Sequence, residues 1–414
     1  MKKSILVVGP VLSMSGYGYQ ARFALRALRS REDLFNIYIQ PLPWGKTGWV
    51  WENNEFRQWM DSRITETAIL ANQNQLHFDS TLQIGIPNEW KKLAQENIGY
   101  TAGIETTKVA PVWLQKGNDM DKILVVSNHA KTTYEKTVAM AMNQQTGEKF
   151  EYKLNTPIEV VWERTDRAEI KEIEGIELEN DFNFLLLSQW SARKNFENTI
   201  KWWVEEFIDQ DVGLIIKTNV AANCLIDRNF TERRLEAILS DYSDRRCNVY
   251  LIHGDLSDGQ MRWLYTHDKV KSLVNIAHGE GFGLPMYEAA REALPIITIG
   301  WGGQLDFLHH KGKNYFEQVF YTLQPIQPDA VWPGVIEKDS MWAFADQGSF
   351  KMALRRVYKK WDKSKAKALE LQSLVLDKFD EQKLYEGFCS HFIEEEFDVE
   401  DWLSDLEEDV IEFE

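Results

Sequence analysis

Short apolar runs and amphipathic stretches alternate along the first third of the chain. The run "SILVV" at residues 4–8 predicts a buried strand, and a glycine-bearing turn separates it from "ARFALRALRS", whose apolar positions recur at helical spacing. A second strand is predicted for "LFNIYIQ", and a later buried strand for "KILVV", which runs on into a helix. This order of strand, glycine turn, helix and strand is typical of a doubly wound α/β domain.

Between residues 142 and 181 the alternation gives way to polar, charged sequence, which predicts a junction between domains. Strand-like and helix-like stretches then alternate again, from "FNFLLLSQW" to "KSLVNIAH". We therefore predict two Rossmann-like domains that face a cleft, at residues 1–165 and 166–385, and an acidic C-terminal segment at 386–414. In such sheets, ligands bind beyond the carboxyl ends of the strands, where the glycine-bearing turns of this chain fall.

Length and composition support a folded protein of two domains. A chain of 414 residues is long for a single core, and no apolar run approaches the roughly 18 residues of a membrane-spanning helix. The apolar run near the N-terminus is too short for a signal peptide and ends in a glycine turn. The three cysteines, Cys224, Cys247 and Cys389, lack metal-ligand spacing and have an odd count, which favours a reducing compartment. We predict a soluble, cytoplasmic protein without a transmembrane segment.

The acidic charge is concentrated at the C-terminus. The formal net charge is −17, and residues 394–414 hold 12 acidic residues and no basic one. Apolar side chains such as Phe397, Trp402 and Phe413 interleave with these acids. We predict a solvated, partly helical segment with a face that can dock on the N-terminal domain. The overall charge also argues against general affinity for nucleic acid.

Residues 273–308, "LVNIAHGEGFGLPMYEAAREALPIITIGWGGQLDFL", carry the candidate chemistry. A strand is predicted to end near Ala277, and the glycines after it permit a tight turn and a close approach of the backbone. Pro285 suits the first turn of a helix, which we predict from about Leu284 to Ala293. The free N–H groups at the start of this helix form a site for phosphate oxygens.

Two carboxylates flank this anion site. Glu280 lies on the turn, and Glu288 lies about one turn inside the helix. Because carboxylates repel phosphate, we expect both to face neutral groups with hydroxyls, a sugar on one side and a ribose on the other. The spacing thus indicates a clamp on a nucleotide-diphosphate-sugar. Either glutamate alone would also suit a solvated position or one stabilised by the helix dipole.

The string from Glu280 to Glu288 resembles the E-x7-E sequence of the retaining GT-B glycosyltransferases of family 4, in which "EGFGLP" precedes "EA". The "GWGG" at 300–303 resembles the family's glycine pair after the next strand, and "FNFLLLSQWSARKN" resembles its diphosphate site, with Lys194 on the lysine position. The resemblance covers most of the second half. It implies the GT-B fold, with an N-terminal acceptor domain and a C-terminal donor domain.

The resemblance also implies roles for the matched residues. Glu280 would bond the hydroxyls of the donor sugar, and Glu288 would hold the ribose. The backbone of three further residues would contact the sugar and the distal phosphate: Phe282, Gly283 and Leu284. Lys194 would neutralise the departing diphosphate without a metal ion.

Two residues, at positions 189 and 277, differ from those that the family usually has there. Gln189 stands where the family has an arginine, so either Arg193 supplies that charge or the phosphate site is weaker. Ala277 stands where the family often has a small hydroxyl residue. Both departures concern phosphate contacts.

The N-terminal half resembles the family less specifically. Gly16 and Gly18 resemble its first glycine loop, although an ordinary tight βα turn would look the same. Glu105 lies in a region that lines the acceptor side, and is either a contact to donor or acceptor or a structural carboxylate. His129 is either a helix-start residue or a base. By the resemblance the departing phosphate can itself take the acceptor's proton, so no dedicated base is required.

The sequence thus predicts a retaining, metal-independent glycosyltransferase without a cofactor. It would move a hexose or pentose from a nucleotide-sugar, most commonly a UDP-sugar in this family, to a hydroxyl of a carbohydrate or glycoconjugate. Tryptophans at 44, 49, 51 and 59 could stack on sugars or bases.

Three other functions are consistent with parts of the sequence to different degrees. Residues 1–150 hold 17 basic and 14 acidic residues, a balance of +3, so a DNA glycosyltransferase acting on hydroxymethylated bases stays a second option. No dense basic stripe supports it. A non-catalytic nucleotide-sugar-binding protein is a third option. A nicotinamide-dependent oxidoreductase is disfavoured, since "GYGYQA" lacks the third glycine of its loop.

Overall fold

The computed structural model describes residues 2–393. The N-terminal domain is built on a parallel sheet of six strands in the order β2-β1-β3-β4-β5-β8. Its strands are β1 (Lys3–Gly9), β2 (Phe35–Pro41), β3 (Ser80–Ile84), β4 (Glu96–Thr101), β5 (Lys122–Val125), the hairpin β6 (Ala139–Met142) and β7 (Lys149–Tyr152), and β8 (Ile158–Val160). The helices are α1 (Gly16–Arg29), α2 (Glu55–Asn72), α3 (Pro111–Asn118) and α4 (Asn128–Lys136).

The C-terminal domain repeats this plan with the strand order β11-β10-β9-β12-β13-β16. Its strands are β9 (Asn183–Leu187), β10 (Gly213–Thr218), β11 (Asn248–His253), β12 (Val270–Asn275), β13 (Ile296–Ile299), β14 (His309–His310), β15 (Lys313–Asn314), β16 (Glu317–Val319), β17 (Tyr321–Pro325) and β18 (Met341–Ala345). Its helices are α5 (Phe196–Phe207), α6 (Leu225–Leu239), α7 (Asp258–Thr266), α8 (Leu284–Arg291), α9 (Leu305–Leu308), α10 (Gln347–Lys359), α11 (Trp361–Lys378) and α12 (Glu381–Cys389). The prediction of two Rossmann-like α/β domains is confirmed.

The last helix returns to the first domain. α12 packs on α1, where Cys389 Sγ contacts the carbonyl of Ala27 at 3.1 Å. The ring of Phe388 lies 5.7 Å from that of Phe23 and 5.8 Å from that of Tyr100. Residues 386–393 therefore lie against the N-terminal domain, and the acidic residues 394–414 lie outside the described residues.

Several elements differ from the sequence-based expectation. α2 gave no periodic signal because only Met60 and Thr67 of its 18 residues are buried. The polar stretch after residue 142 contributes the second strand of a hairpin and β8, the edge strand of the first sheet. β12 ends at Asn275 rather than near Ala277, because the Asn275 side chain bonds the N–H of Ala277 and turns the chain.

The end of α8 also differs from the expectation. The helix ends at Arg291 instead of Ala293, which has a φ of +54°. In the part of the chain that the structure describes, no helix has the length and apolarity needed to cross a membrane. All three cysteines are free thiols.

The segment that joins the two domains buries an unpaired carboxyl. Glu163 is 4% exposed, and its Oε2 has no hydrogen-bond partner among residues 2–393. Burial raises its pKa to about 8. Between about pH 4.5 and pH 8, Glu163 is protonated in the folded protein but ionised in the unfolded chain. The free energy of unfolding therefore decreases as the pH rises through this range.

We therefore expect Glu163→Gln to stabilise the protein at pH 8 by roughly 4 kcal/mol and to change little at pH 4.5. Urea unfolding at both pH values measures this difference. Glu169→Gln, at an exposed glutamate of the same segment, is the matched control. An effect of Glu163→Gln that is equal at both pH values would contradict the assignment.

Candidate active site

Glu280 lies in the loop between β12 and α8 and is 6% exposed. Lys194 Nζ donates to both of its carboxylate oxygens, at 2.6 and 2.7 Å, and Asn275 Nδ2 donates to Oε1 at 2.9 Å. Burial alone would raise the pKa of Glu280, but Lys194 and Arg193 outweigh it and lower the pKa to about 2. The carboxylate is therefore ionised at neutral pH.

The loop that carries Glu280 is wedged against the N-terminal domain. A Cβ at Gly279 would lie 2.5 Å from the carbonyl oxygen of Glu105, and one at Gly281 would lie 2.5 Å from that of Ala102. Ser127 Oγ donates to the carbonyl of Gly281 at 2.6 Å. Glycine is required at both positions because the two backbones meet without room for a side chain.

The cations of the site follow β9. Arg193 and Lys194 lie on a short 3-10 turn, and Asn195, with a φ of +50°, turns the chain into α5. Arg193 Nη1 donates to the carbonyl of Gly279 at 2.7 Å and lies 3.1 Å from Glu105 Oε1. Arg193 thus links the two domains through Glu105. Burial and the neighbouring Arg193 both lower the pKa of Lys194, and Glu280 opposes them.

Glu288 occupies a separate part of the site. It accepts a hydrogen bond from Tyr265 Oη at 2.9 Å. Burial raises its pKa, and the charge of Arg291 acts in the opposite direction. No basic side chain among the described residues lies within ion-pair distance of Glu288, whereas Glu280 pairs with Lys194. A shallow crevice lined by Glu288, Tyr265, Asp258 and others opens beside it.

His129 lies on the N-terminal domain where it contacts the C-terminal domain. It lies in the first turn of α4, and its ring meets that of Trp301 edge-on at 4.7 Å. Burial lowers its pKa to about 4, so the imidazole is neutral at pH 7. Its Nε2 has no hydrogen-bond partner within residues 2–393. The residue is therefore both at a helix start and at the interface between the domains.

The two glycines of the first loop differ in their surroundings. Gly16 is the exposed first residue of α1, and a Cβ there would meet open space. Gly18 packs against the backbone of Ser13, whose oxygen would lie 1.9 Å from a Cβ. The N–H of Gly18 donates to Ser15 Oγ, which caps α1. A structural reason thus accounts for Gly18.

The remaining predicted residues fall around α8 and β9. Phe282 is 3% exposed, and its ring lies in the core, 5.2 Å from that of Phe307. Only the backbone of Phe282 is therefore free to contact a ligand. Gly283, with a φ of +92°, caps α8, and Leu284 is its first residue. Gln189 donates to the carbonyl of Val220 instead, and among the described residues Arg193 is the second cation at Glu280, beside Lys194.

Sequence reasoning missed two residues of this region. Asn275 contacts Glu280 directly, and its only signal was a polar residue at the end of an apolar strand, five positions before Glu280. Lys217 ends the apolar run "GLIIK" in β10. Burial lowers its pKa, against the opposite charges of Asp255 and Glu288. A charged residue that closes a buried parallel strand was the available signal.

No protein-family model and no curated protein sequence matches the chain. Solved structures do match it over most of its length. Sucrose-phosphate synthase from Thermosynechococcus elongatus has a TM-score of 0.62 at 11% identity, over 94% of this chain and 98% of that one. Anabaena HepE in complex with UDP and glucose has a TM-score of 0.58 at 12% identity, over 94% and 99%.

A glycosyltransferase from Rickettsia africae has a TM-score of 0.55 at 11% identity, over 94% of this chain and 99% of that one. At such identities the likeness shows the fold. The two Rossmann-like domains have the GT-B arrangement, as the sequence predicts.

Proposed function

We propose that this protein is a retaining glycosyltransferase that moves a hexose or pentose from a nucleotide-diphosphate-sugar to a hydroxyl acceptor. The observation that carries the proposal is the buried, ionised Glu280, held by Lys194 at the start of α8 and facing the N-terminal domain. A UDP-sugar donor is supported by HepE, which was solved with UDP and glucose and also with UDP-glucose.

The proposed reaction uses the groups around Glu280. The carboxylate accepts hydrogen bonds from the sugar hydroxyls, and the N–H groups at the start of α8 bind the diphosphate. The bond from the anomeric carbon to the diphosphate oxygen breaks, and the acceptor oxygen bonds that carbon on the same face. The acceptor's proton passes to the departing diphosphate. Lys194 and Arg193 neutralise the charge that develops on it.

Metal independence forms part of the proposal. Two cations, Lys194 and Arg193, already converge where the diphosphate would depart. In the free protein they bond Glu280, and a diphosphate with its higher charge competes for them. We propose that Lys194 exchanges Glu280 for phosphate when the donor binds, which frees the carboxylate for the sugar.

Glu288 is proposed to hold the ribose. We expect Glu288→Ala to raise the donor KM by about 10- to 100-fold with little change in kcat, since ribose contacts are made equally in the ground and transition states. Initial rates over a range of donor concentrations measure this. The control is Glu236→Ala, at an exposed glutamate of α6 that forms no ion pair among the described residues. A fall in kcat at unchanged KM would contradict the ribose role.

The proposed acceptor is a carbohydrate or glycoconjugate. Trp49 and Trp51 are 59% and 63% exposed, and their segment is held by the hydrogen bonds from Met14 N to Gly48 O and from Val50 N to Leu12 O. Exposed indole rings on a segment held by backbone hydrogen bonds suit the apolar face of a sugar. Trp59, by contrast, stacks on Phe56 of the same helix.

Transfer of labelled sugar tests the proposal. Candidate nucleotide-sugars are incubated with the protein and with oligosaccharides, glycolipids or hydroxymethylated DNA, with and without EDTA, and products are identified by mass. Transfer to a saccharide that survives EDTA supports the full proposal. Transfer to DNA alone would replace the acceptor, loss in EDTA would remove metal independence, and donor binding without transfer would indicate a non-catalytic binding protein.

A further inference from the structure

Asn275 connects the end of β12 to the carboxylate of Glu280. Its side chain is buried, and the whole residue is 6% exposed. Nδ2 donates to Glu280 Oε1 at 2.9 Å, and Oδ1 accepts from the backbone N–H of Ala277 at 2.9 Å. Because Oδ1 is committed to an N–H donor, only the amide nitrogen can face Glu280. The carboxamide cannot turn without breaking both hydrogen bonds.

The three partners of Glu280 differ in what a donor would do to them. Lys194 and Arg193 carry long, flexible, cationic side chains, which a diphosphate attracts. Asn275 is short and neutral, and its backbone belongs to a central strand that pairs with β13 and β9. It is therefore the one of the three contacts that a bound diphosphate leaves in place.

We propose that Asn275 is a positioning residue that keeps the Glu280 carboxylate aimed at the sugar while the donor draws Lys194 and Arg193 away. The inference rests on the proposed function and deepens it. A neutral N–H group suits this task because it can hydrogen-bond the ionised carboxylate of Glu280 and, lacking a charge, is not drawn away by the diphosphate. An aliphatic side chain would leave Glu280 free to rotate, and a carboxylate would repel it.

Two substitutions test this role. Asn275→Leu removes both hydrogen bonds, and we expect kcat to fall by about 10- to 100-fold while the donor KM changes by less than about threefold. Asn275→Asp keeps an acceptor for the N–H of Ala277 but places a second carboxylate beside Glu280. That charge disfavours the ionised Glu280 and raises its pKa, so the acid limb of the kcat profile should move upward by about one pH unit or more.

Thr298→Val is the matched control. Thr298 lies opposite Asn275 in the register of β12 and β13, is 1% exposed, and its hydroxyl has no partner among the described residues. We expect this variant to have wild-type kcat and an unchanged pH profile. Thermal melts of all three variants separate loss of folding from loss of positioning, and Asn275→Asp preserves the turn if Asn275→Leu does not fold.

The outcomes separate this inference from the proposed function. A lowered kcat in Asn275→Leu with a shifted acid limb in Asn275→Asp supports the positioning role. If the wild type transfers sugar and both variants behave like Thr298→Val, the positioning role is overturned and the function stands. If the wild type transfers no sugar from any nucleotide-sugar, the function fails and the inference falls with it.

Discussion

Glu280→Gln is expected to lower kcat by about three orders of magnitude while donor affinity falls by about tenfold or less. Glutamine keeps the shape of the side chain but replaces one acceptor oxygen by a donor and removes the charge. The sugar hydroxyls then lose a charged acceptor oxygen, and Lys194 and Arg193 lose the anion that pairs with them. Steady-state kinetics and donor titration by calorimetry measure the two effects separately.

Glu317→Gln is the matched control for Glu280→Gln. Glu317 also pairs with two cations, Arg356 at 2.9 Å and Lys367 at 3.4 Å, and it lies on β16 of the same sheet. Its loss should affect stability but not turnover. A folded Glu280→Gln enzyme with wild-type kcat would show that the buried carboxylate takes no part in transfer.

Lys194→Met is expected to lower kcat by about 100- to 1000-fold, the second-largest effect. Methionine preserves much of the length and volume of the stem, and removes the charge that would neutralise the departing diphosphate. Because that charge develops in the transition state, kcat should suffer more than donor KM. Single-turnover rates at saturating donor isolate this step from product release.

The control for Lys194→Met is Lys367→Met. Lys367 pairs with a glutamate as Lys194 does, but away from the cleft, so its loss should leave kcat unchanged. Lys194→Arg should recover part of the rate, since the charge is restored with a different geometry. A Lys194→Met enzyme that loses donor affinity yet keeps kcat would place the lysine in binding alone.

The fold was predictable because its strands are buried on both faces and therefore show as continuous apolar runs, such as "FNFLLL" and "GLIIK". The elements that the sequence did not predict are largely exposed. α2 buries few side chains, and the exposed Met140 and Met142 of the β6–β7 hairpin resemble no core pattern. Elements that contribute little to the core leave little periodicity to detect.

The local geometry of the candidate site was predictable where neighbouring sequence determines it. The glycines around Glu280 and the helix start at Leu284 lie within a few residues of each other, so their arrangement follows from the turn. The contact between Arg193 and Glu105 joins residues 88 positions apart on different domains. Such a pair depends on how the two sheets meet, which no local spacing encodes.

The contact of Arg193 with Glu105 divides the site unevenly between the domains. Glu280, Lys194, Arg193 and Asn275 all belong to the second domain and bond one another there. Glu105 reaches them only from the first domain. If the two domains separate and rejoin, the cluster around Glu280 would move as a preassembled unit, and only its contact with Glu105 would have to form again each time.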